Sequence, residues 1–548
     1  MLVLGAGING CAIARELVLG GVAVWLVDTA DIASGTTAGS SRLVHGGLRY
    51  LEFGELDLVK ESLHERTRLL RLAPQFVHPL RLWIPVSSRF GGMVGAAGRF
   101  FGWRWWPAPP PSNGRGITLV RAGLSLYDAY ARDPLLPKHQ VMKAASAPMP
   151  VDRQQYRWLC SYHDAQVAFP ERLVLALLQD ARELAAQQSL DFRVFTYHQA
   201  TRSGETIEIH PLGRGQPGES VRPAAIVNAT GAWVDHTLGR LQVPSGRLIG
   251  GTKGSHAFTF NDRLRDALSG QGIYAEARDG RPIFITPLAD AILIGTTDEP
   301  FEGPPEEAVA TERELDYLLD SVNAIFPAVA LQPADIDFHY SAVRPLPYVD
   351  ATTPAAITRR HSLVEQTVAG VPLISVVGGK LTTMRSLAEL TAQTVLGRLG
   401  RQPASNSRDR VIPGGEDYPA NHQAVEQAME QIAARLALPN SSVARVWKLC
   451  GTRCESILAS SADRELLGDT QLPCSLVRWS IHHEWARTLA DLVERRLMLL
   501  YDTRLTRTTL RRLAELLAES GMISAAEIDV RVEEEIARLK TRYGKRVV

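Results

Sequence analysis

The sequence predicts a mixed α/β protein in three parts: a parallel nucleotide-type α/β unit, an antiparallel-sheet domain and a C-terminal all-helical domain. Three observations predict it. The chain opens with Leu2-Val3-Leu4, then Gly5-Ala6-Gly7-Ile8-Asn9-Gly10, a helical pattern from Ile8 to Leu19, and an apolar run from Val22 to Val27 that ends at Asp28. Between about Gly246 and Val343, short apolar runs such as Ile292-Leu293-Ile294 alternate with turn signals, around one helical segment near Glu312 to Phe326. From Asn421 onward the pattern is helical. Val425, Met429, Ile432 and Leu436 share a face, as do Trp485, Leu489 and Leu492 and, further on, Leu510, Leu513 and Leu517.

The first segment is a Rossmann-like βαβ opening. Gly5 allows the tight turn, Gly7 lets backbone N–H groups approach a diphosphate, and Gly10 lets the helix pack on the sheet. Asp28 lies 18 positions after Gly10, close to the spacing expected of an acid that accepts hydrogen bonds from ribose hydroxyls and repels a 2′-phosphate. Asp57 to Leu72 reads as an amphipathic helix, Leu173 to Ala186 as another, and Ala225 to Asn228 and Leu373 to Val377 as buried strands. The nucleotide unit is therefore expected to be discontinuous, over 1–75, 165–235 and 345–400. A substrate domain is expected over 76–164 and 236–344, a polar linker over 401–418 and the helical domain over 419–548.

Composition limits the function classes. The chain has 548 residues, 45% hydrophobic and 22% charged, with net charge +1. That is an ordinary globular balance, with no global field to attract nucleic acid. Five cysteines without ligand spacing argue for buried thiols in a reducing compartment and against a metal site or disulfide framework. The apolar start runs straight into the glycine turn, so it reads as a strand rather than a secretory signal. No stretch approaches about 20 apolar residues, which disfavours a membrane-spanning helix. A cytoplasmic chain is expected, with peripheral attachment to the membrane left open.

The turn alone does not separate NAD from FAD. The stretch Ser34 to Glu52 is too polar and glycine-rich for a crossover helix, and carries small hydroxyls (Thr36, Thr37, Ser40, Ser41) suited to phosphate oxygens, then Arg49. With His45-Gly46-Gly47-Leu48-Arg49-Tyr50-Leu51-Glu52, Asn228-Ala229-Thr230-Gly231, Lys253-Gly254-Ser255-His256, Ile294-Gly295-Thr296-Thr297-Asp298, Val343-Arg344-Pro345, Ile357-Thr358-Arg359 and Gly378-Gly379-Lys380-Leu381-Thr382-Thr383 in order, the chain resembles the FAD-dependent glycerol-3-phosphate dehydrogenases, within the D-amino-acid-oxidase-like flavoproteins.

The resemblance implies FAD held by Gly5, Gly7, Gly10, Asp28, Thr36, Thr37, Ser40, Ser41, His45, Gly46, Thr230, Gly231, Gly378, Gly379, Leu381 and Thr382; no histidine or cysteine stands out as an attachment point, so non-covalent FAD is expected. It implies hydride transfer from C2 of glycerol 3-phosphate to flavin N5, with electrons passed on to a membrane quinone. Arg344 and Arg359 are the expected phosphate clamp, because a dianion calls for planar, always-charged forks. Arg49 joins the clamp or holds a substrate hydroxyl. Lys380, after a double glycine at an expected helix start, offers a cation near the substrate oxygen or the flavin ring. The candidates for the hydroxyl proton are His256 and Lys380, of which histidine has the better intrinsic pKa.

Other readings follow the same lines. An oxidase using oxygen, or an amine or amino-acid oxidase on the same scaffold, is the alternative activity. Relatives carry paired aspartates where this chain has Phe169-Pro170-Glu171-Arg172, which alters how that helix starts and how Arg172 is held. The stretch Gly91 to Gly116 sets Phe100, Phe101, Trp103, Trp105 and Trp106 among Arg99 and Arg104, a composition suited to a lipid interface; packing against the protein itself or against a second copy in a homodimer is the alternative. Arg495-Arg496 and Arg504 to Arg512 read as a solvated helix face.

Overall fold

The computed structural model describes residues 1–89, 116–133, 135–213, 217–349 and 360–547, without the side chains of Arg49, Glu52 and Phe53. The aromatic stretch expected to meet lipid falls almost entirely in 90–115, outside the described residues, as does Arg359.

Six strands form the nucleotide-type sheet, in the order Ser362–Val368, Val371–Val377, Ile226–Asn228, Leu2–Leu4, Val24–Val27, Phe192–Phe195. All neighbours are parallel except the edge hairpin of 362–368 with 371–377. Side chains alternate between two cores, as strand geometry requires. Val3, Val24 and Leu26 face a core built with the helices Ile8–Leu19, Pro170–Gln187 and Met384–Arg398. Leu2, Leu4 and Val27 face a smaller one built with the helix Val234–Arg240 and the three-stranded sheet of 198–203, 206–211 and 219–221. Both faces are thus covered, which is why these strands read as continuous apolar runs.

The second sheet has ten strands drawn from 43–44, 77–86, 140–143, 158–167 and from six segments between 252 and 344. It departs from the expected antiparallel sheet at one junction, where Gly272–Glu276 runs parallel to Val77–Val86. A parallel pair needs a long crossover, and the chain between these strands passes through the nucleotide unit. The helix Glu312–Ile325, started by a capping box of Thr311 and Glu314, covers one face of this sheet.

Segment 401–418, read from composition as a linker, is packed onto the nucleotide unit. Ile412 is buried and donates its N–H to the Leu72 carbonyl at 2.8 Å, and Arg410 pairs with Asp180 at 2.7 Å, beside Arg15. Beyond it lie the helices His422–Leu436, Asn440–Cys450, Cys454–Ala459, Cys474–His483, Arg507–Glu519 and Ile528–Tyr543 around a shared apolar core.

Two expectations for this domain are corrected. Trp485 lies outside any helix at φ +57°, and Leu489–Asp491 passes at once into a widened π turn, Leu492–Arg496. Arg495 and Arg496 are not solvated: the wider turn brings both inward, where they bond Asp31, Arg496 through both of the carboxylate's oxygens. Further on, Arg507 and Arg511 do lie on an exposed face, paired with Glu533 and Asp529.

The helical domain is joined to the nucleotide unit by buried ion pairs. Arg172 grips Glu484 bidentately at 2.7 and 2.8 Å and also donates to the carbonyls of Leu449 and Arg496. Glu171, beside it, holds Arg42 through both oxygens at 2.6 and 3.0 Å. So Pro170 starts the helix, and Glu171 with Arg172 opposes one buried charge of each sign. Removing one partner of such a pair leaves a buried charge uncompensated. Arg172→Met is therefore expected to cost about 3–5 kcal/mol in denaturant unfolding. Arg172→Met with Glu484→Gln should recover most of that loss; a double variant no more stable than the single one would refute the account.

Candidate active site

A cavity of 1130 Å³ opens between the carboxyl end of the parallel sheet and the second sheet. Ordinary small-molecule pockets span about 300–1,000 Å³, so there is room for a dinucleotide and a small substrate. Leu4, Gly5, Gly7, Asp28, Thr36, Thr37, Ser40, Ser41, His45, Thr230, Gly231, His256, Arg344, Gly378, Gly379, Lys380, Leu381 and Thr382 all line it. The structure thereby brings together residues that are hundreds of positions apart in the chain.

The glycine turn is shaped as its spacing requires. Gly5 is at φ +98° and a Cβ there would lie 2.7 Å from the Ala229 carbonyl oxygen; a Cβ on Gly10 would lie 1.8 Å from the Gly5 carbonyl oxygen. Gly10 is a packing contact and does not line the cavity. At Gly7 an added Cβ would meet only Thr37 Oγ1, at 3.4 Å, so this face is open. The helix Ile8–Leu19 has no side-chain cap at Gly7 and no acid in its first turn. Thr37 takes the Ile8 N–H, and the N–H groups that follow it in the first turn are left for an anion.

Asp28 sits at the rim. Its Oδ2 accepts from Ala6 N at 2.6 Å and its Oδ1 from Ala30 N at 2.8 Å. Each oxygen keeps a lone pair for a hydroxyl donor. Burial pushes its pKa up to about 6, against the two backbone hydrogen bonds that favour the carboxylate. Asn9 Oδ1 and Ser40 Oγ are buried cavity atoms with no partner among the described residues. With the open Gly7 face and the helix terminus beside it, they fit a bound dinucleotide.

The hydroxyls expected to meet phosphate divide in function. Thr36 Oγ1 donates to the Val343 carbonyl at 2.8 Å and has no second proton to give. Thr37 Oγ1 accepts from Ile8 N at 3.0 Å and keeps its proton for an anion at the helix terminus. Ser41 Oγ bonds His256 Nε2 at 2.8 Å. Gly46 does not line the cavity: its N–H goes to Tyr127 and Asp164, and a Cβ would press on Leu63 and Tyr127 at 2.4 Å. His45 is tied through its backbone to Thr382, whose hydroxyl accepts from His45 N at 3.1 Å and donates to His45 O at 3.3 Å. Two motifs 337 residues apart are thereby laced together.

His256 lies on the strand Thr252–Thr259, 2% exposed. Burial, then the charges of Arg344 and Arg42, lower its pKa to about 3, so the ring is neutral. Arg344 ends the neighbouring strand Phe338–Arg344. Its guanidinium pairs with Asp298 at 2.8 Å and donates to Thr296 Oγ1 and the Thr297 carbonyl, each at 2.9 Å. Asp298 therefore holds the fork in place, a role not expected from sequence, although Asp298 ends the run Ile294-Gly295-Thr296-Thr297-Asp298. Lys380 does not open a helix. The loop 378–383 intervenes, the helix begins at Met384, and Gly378 and Gly379 at φ +82° and +103° make the bend. Lys380 Nζ stands 3.8 Å from the centre of the Tyr50 ring, a cation–π contact. Arg49 has its backbone in the short helix Leu48–Phe53, whose Leu48 and Tyr50 line the cavity.

Other lining residues carried no sequence signal. Tyr274 and Phe284, stacked with centroids 4.8 Å apart, wall the side toward the second sheet. Ala490, Glu494, Arg495, Arg538 and Arg542 come from the helical domain.

This is a dinucleotide-type oxidoreductase site, and comparison with known proteins agrees. Residues 1–393 match the family model for FAD dependent oxidoreductases, and residues 405–528 match the C-terminal domain of alpha-glycerophosphate oxidase. A glycerol-3-phosphate dehydrogenase of Synechocystis sp. is 34% identical over 90% of this chain and 88% of its own. The aerobic glycerol-3-phosphate dehydrogenase of Escherichia coli is 30% identical over 90% and 93%, and a D-erythritol 1-phosphate dehydrogenase of Brucella abortus 31% over 90% and 93%. The FAD-bound glycerol-3-phosphate dehydrogenase of Bacillus halodurans shares the fold at TM-score 0.72 and 21% identity, over 99% of this chain and 94% of that one. The chain is an FAD-dependent oxidoreductase. Within that class it belongs to the glycerol-3-phosphate dehydrogenase family.

A ribose hydroxyl donates better to a carboxylate than to a carboxylic acid, so a cofactor held by Asp28 would bind its ionised form in preference. FAD affinity should therefore be flat above pH 6 and fall about tenfold per unit below it, read by flavin fluorescence quenching. In Asp28→Asn the affinity should be lower and this pH dependence lost; a wild-type profile that stays flat to pH 4.5 would remove Asp28 from the ribose contact.

Proposed function

We propose that this chain oxidises sn-glycerol 3-phosphate to dihydroxyacetone phosphate and passes the electrons to a membrane quinone. One observation carries the reading: Arg344, Lys380 and the neutral His256 line the same cavity as the glycine turn. A neutral imidazole and fixed cations suit the oxidation of an alcohol that carries a phosphate dianion. The names of the relatives point the same way, since two polyol phosphates appear among them.

FAD, when bound, supplies the hydride acceptor. The protein supplies the rest. Arg344, with Arg359 and Arg49, takes the substrate phosphate. Lys380 stands near the reacting oxygen. His256 takes the hydroxyl proton. Burial first and then Arg344 hold its pKa down, and a phosphate dianion beside that guanidinium offsets its charge and lifts the basicity of the ring. Binding of the substrate thus prepares the base, and Ser41 at Nε2 fixes the ring plane. Positioning the secondary carbon supplies much of the rate. The acceptor is quinone in this reading, with the aromatic stretch near residue 100 as the peripheral contact with the inner face of the membrane. Among the described residues no helix is long and apolar enough to cross a membrane.

Under anaerobic conditions glycerol 3-phosphate should bleach the yellow absorption of the purified protein, and a quinone dye should restore it. Failure to bleach, or bleaching by glycine or proline instead, removes the substrate assignment. D-Erythritol 1-phosphate belongs in the same trial, and faster turnover of that compound would move the substrate to the four-carbon polyol. Arg344→Ala should raise KM by about ten- to a hundredfold, the scale of a lost charge-assisted contact. His256→Ala should lower kcat by about 10²–10⁴-fold. An unchanged kcat would leave Lys380 as the base.

A further inference from the structure

The glycine turn offers a cofactor diphosphate only neutral N–H donors. Of the arginines lining the cavity from the two sheet domains, Arg42 pairs with Glu171, Arg281 with Glu299, Arg344 with Asp298 and Arg360 with Asp57, and Arg240 sits at the exposed end of the helix Val234–Arg240. Of those lining it from the helical domain, Arg495 is bound to Asp31 and Arg538 to Glu494 and Glu535. Arg542, one turn beyond Arg538 on the helix Ile528–Tyr543, lines the cavity and has no carboxylate partner among the described residues. Its Nη1 donates to the Glu306 carbonyl at 3.1 Å.

The neighbours of Arg542 place it. The Glu306 carboxylate accepts the Trp233 indole N–H at 2.7 Å. The Trp233 ring lies against Gly35, where a Cβ would come within 3.0 Å of it. Gly35 belongs to the loop whose Thr37 caps the Ile8 N–H. Ser34, Gly35, Gly39 and Arg542 also share a small recess beside the main cavity. The guanidinium therefore overlooks the loop 34–39, next to the helix terminus that is left open for an anion. The helix that carries it is fixed: Arg538 pairs with Glu494 and Glu535, and Tyr543 Oη donates to Glu494 at 2.8 Å.

We propose that the C-terminal helix completes the cofactor site and that Arg542 binds the diphosphate of FAD. This rests on FAD binding alone and is independent of the substrate assignment. Arg542 lies past the residues that either family model matches, in a domain whose fold gives no sign of nucleotide binding. A planar fork on a rigid helix suits a diphosphate, which can accept two parallel N–H bonds.

The test uses Arg542→Gln, which keeps a donor for the Glu306 carbonyl and removes the charge. FAD release from diluted holoenzyme is read by flavin fluorescence, and rebinding is competed with ADP and with adenosine. The expected result is about ten- to a hundredfold weaker binding of both FAD and ADP, the size of one charge-assisted hydrogen bond, with adenosine affinity unchanged. Adenosine serves as the control for the fold, because it fills the same end of the cavity without phosphate. A loss of ADP affinity under threefold, or an equal loss for adenosine, overturns the proposal.

Discussion

Arg42 holds the parts of this molecule together. It is fully buried, at φ +57°, and its guanidinium donates to the Ala38 and Ala168 carbonyls, both oxygens of Glu171, and the hydroxyls of Tyr340 and Tyr501. Those groups belong to the cofactor loop, the start of the helix Pro170–Gln187, the second sheet and the helical domain. A buried cation is tolerable only when paired and fully hydrogen-bonded, so each contributing segment is held in the one arrangement that satisfies it. Ser41, which bonds His256, is its neighbour in the chain. The His256 imidazole is thus oriented by a loop whose position the arginine sets.

The same logic recurs along the seam. Arg172 with Glu484, and Arg495 and Arg496 with Asp31, place charges of the nucleotide unit against charges of the helical domain in surroundings that exclude water. Pairs of this kind add little net stability over apolar packing, and their measured use is to select one arrangement among several. Here the arrangement selected puts residues of the helical domain in the cavity wall. The helical domain is in this sense part of the candidate site and not an appendage to it.

Much of the fold was legible because its signals are local. The glycine turn, the helix from Ile8 to Leu19, the helix from Glu312 and the strand ending at Val377 each follow from periodicity and turn chemistry within a dozen residues. Within the candidate site, the motifs around His45, His256, Arg344 and Lys380 pointed to residues that the fold gathers in one cavity. It was illegible where tertiary pairing decides. Arg495 and Arg496 look like any basic pair on a helix, and only a widened turn and a distant aspartate make them core. Gly46 looks like a cofactor glycine, yet Tyr127 and Leu63 claim the space its missing Cβ leaves. Asp298 ends the Ile294–Asp298 motif, but nothing local says that its carboxylate steadies Arg344.

The central position of Leu2–Leu4 has a consequence for synthesis. This strand is flanked on one side by Val24–Val27 and on the other by Ile226–Asn228, more than two hundred residues later. At about 5–20 residues per second, the ribosome leaves its second edge unpaired for roughly 10–45 s, with an apolar surface and open backbone groups on offer. Nascent-chain chaperones therefore have a defined client window on this polypeptide. It closes in two stages, when the 226–228 segment emerges and when the hairpin ending at Val377 seals the sheet.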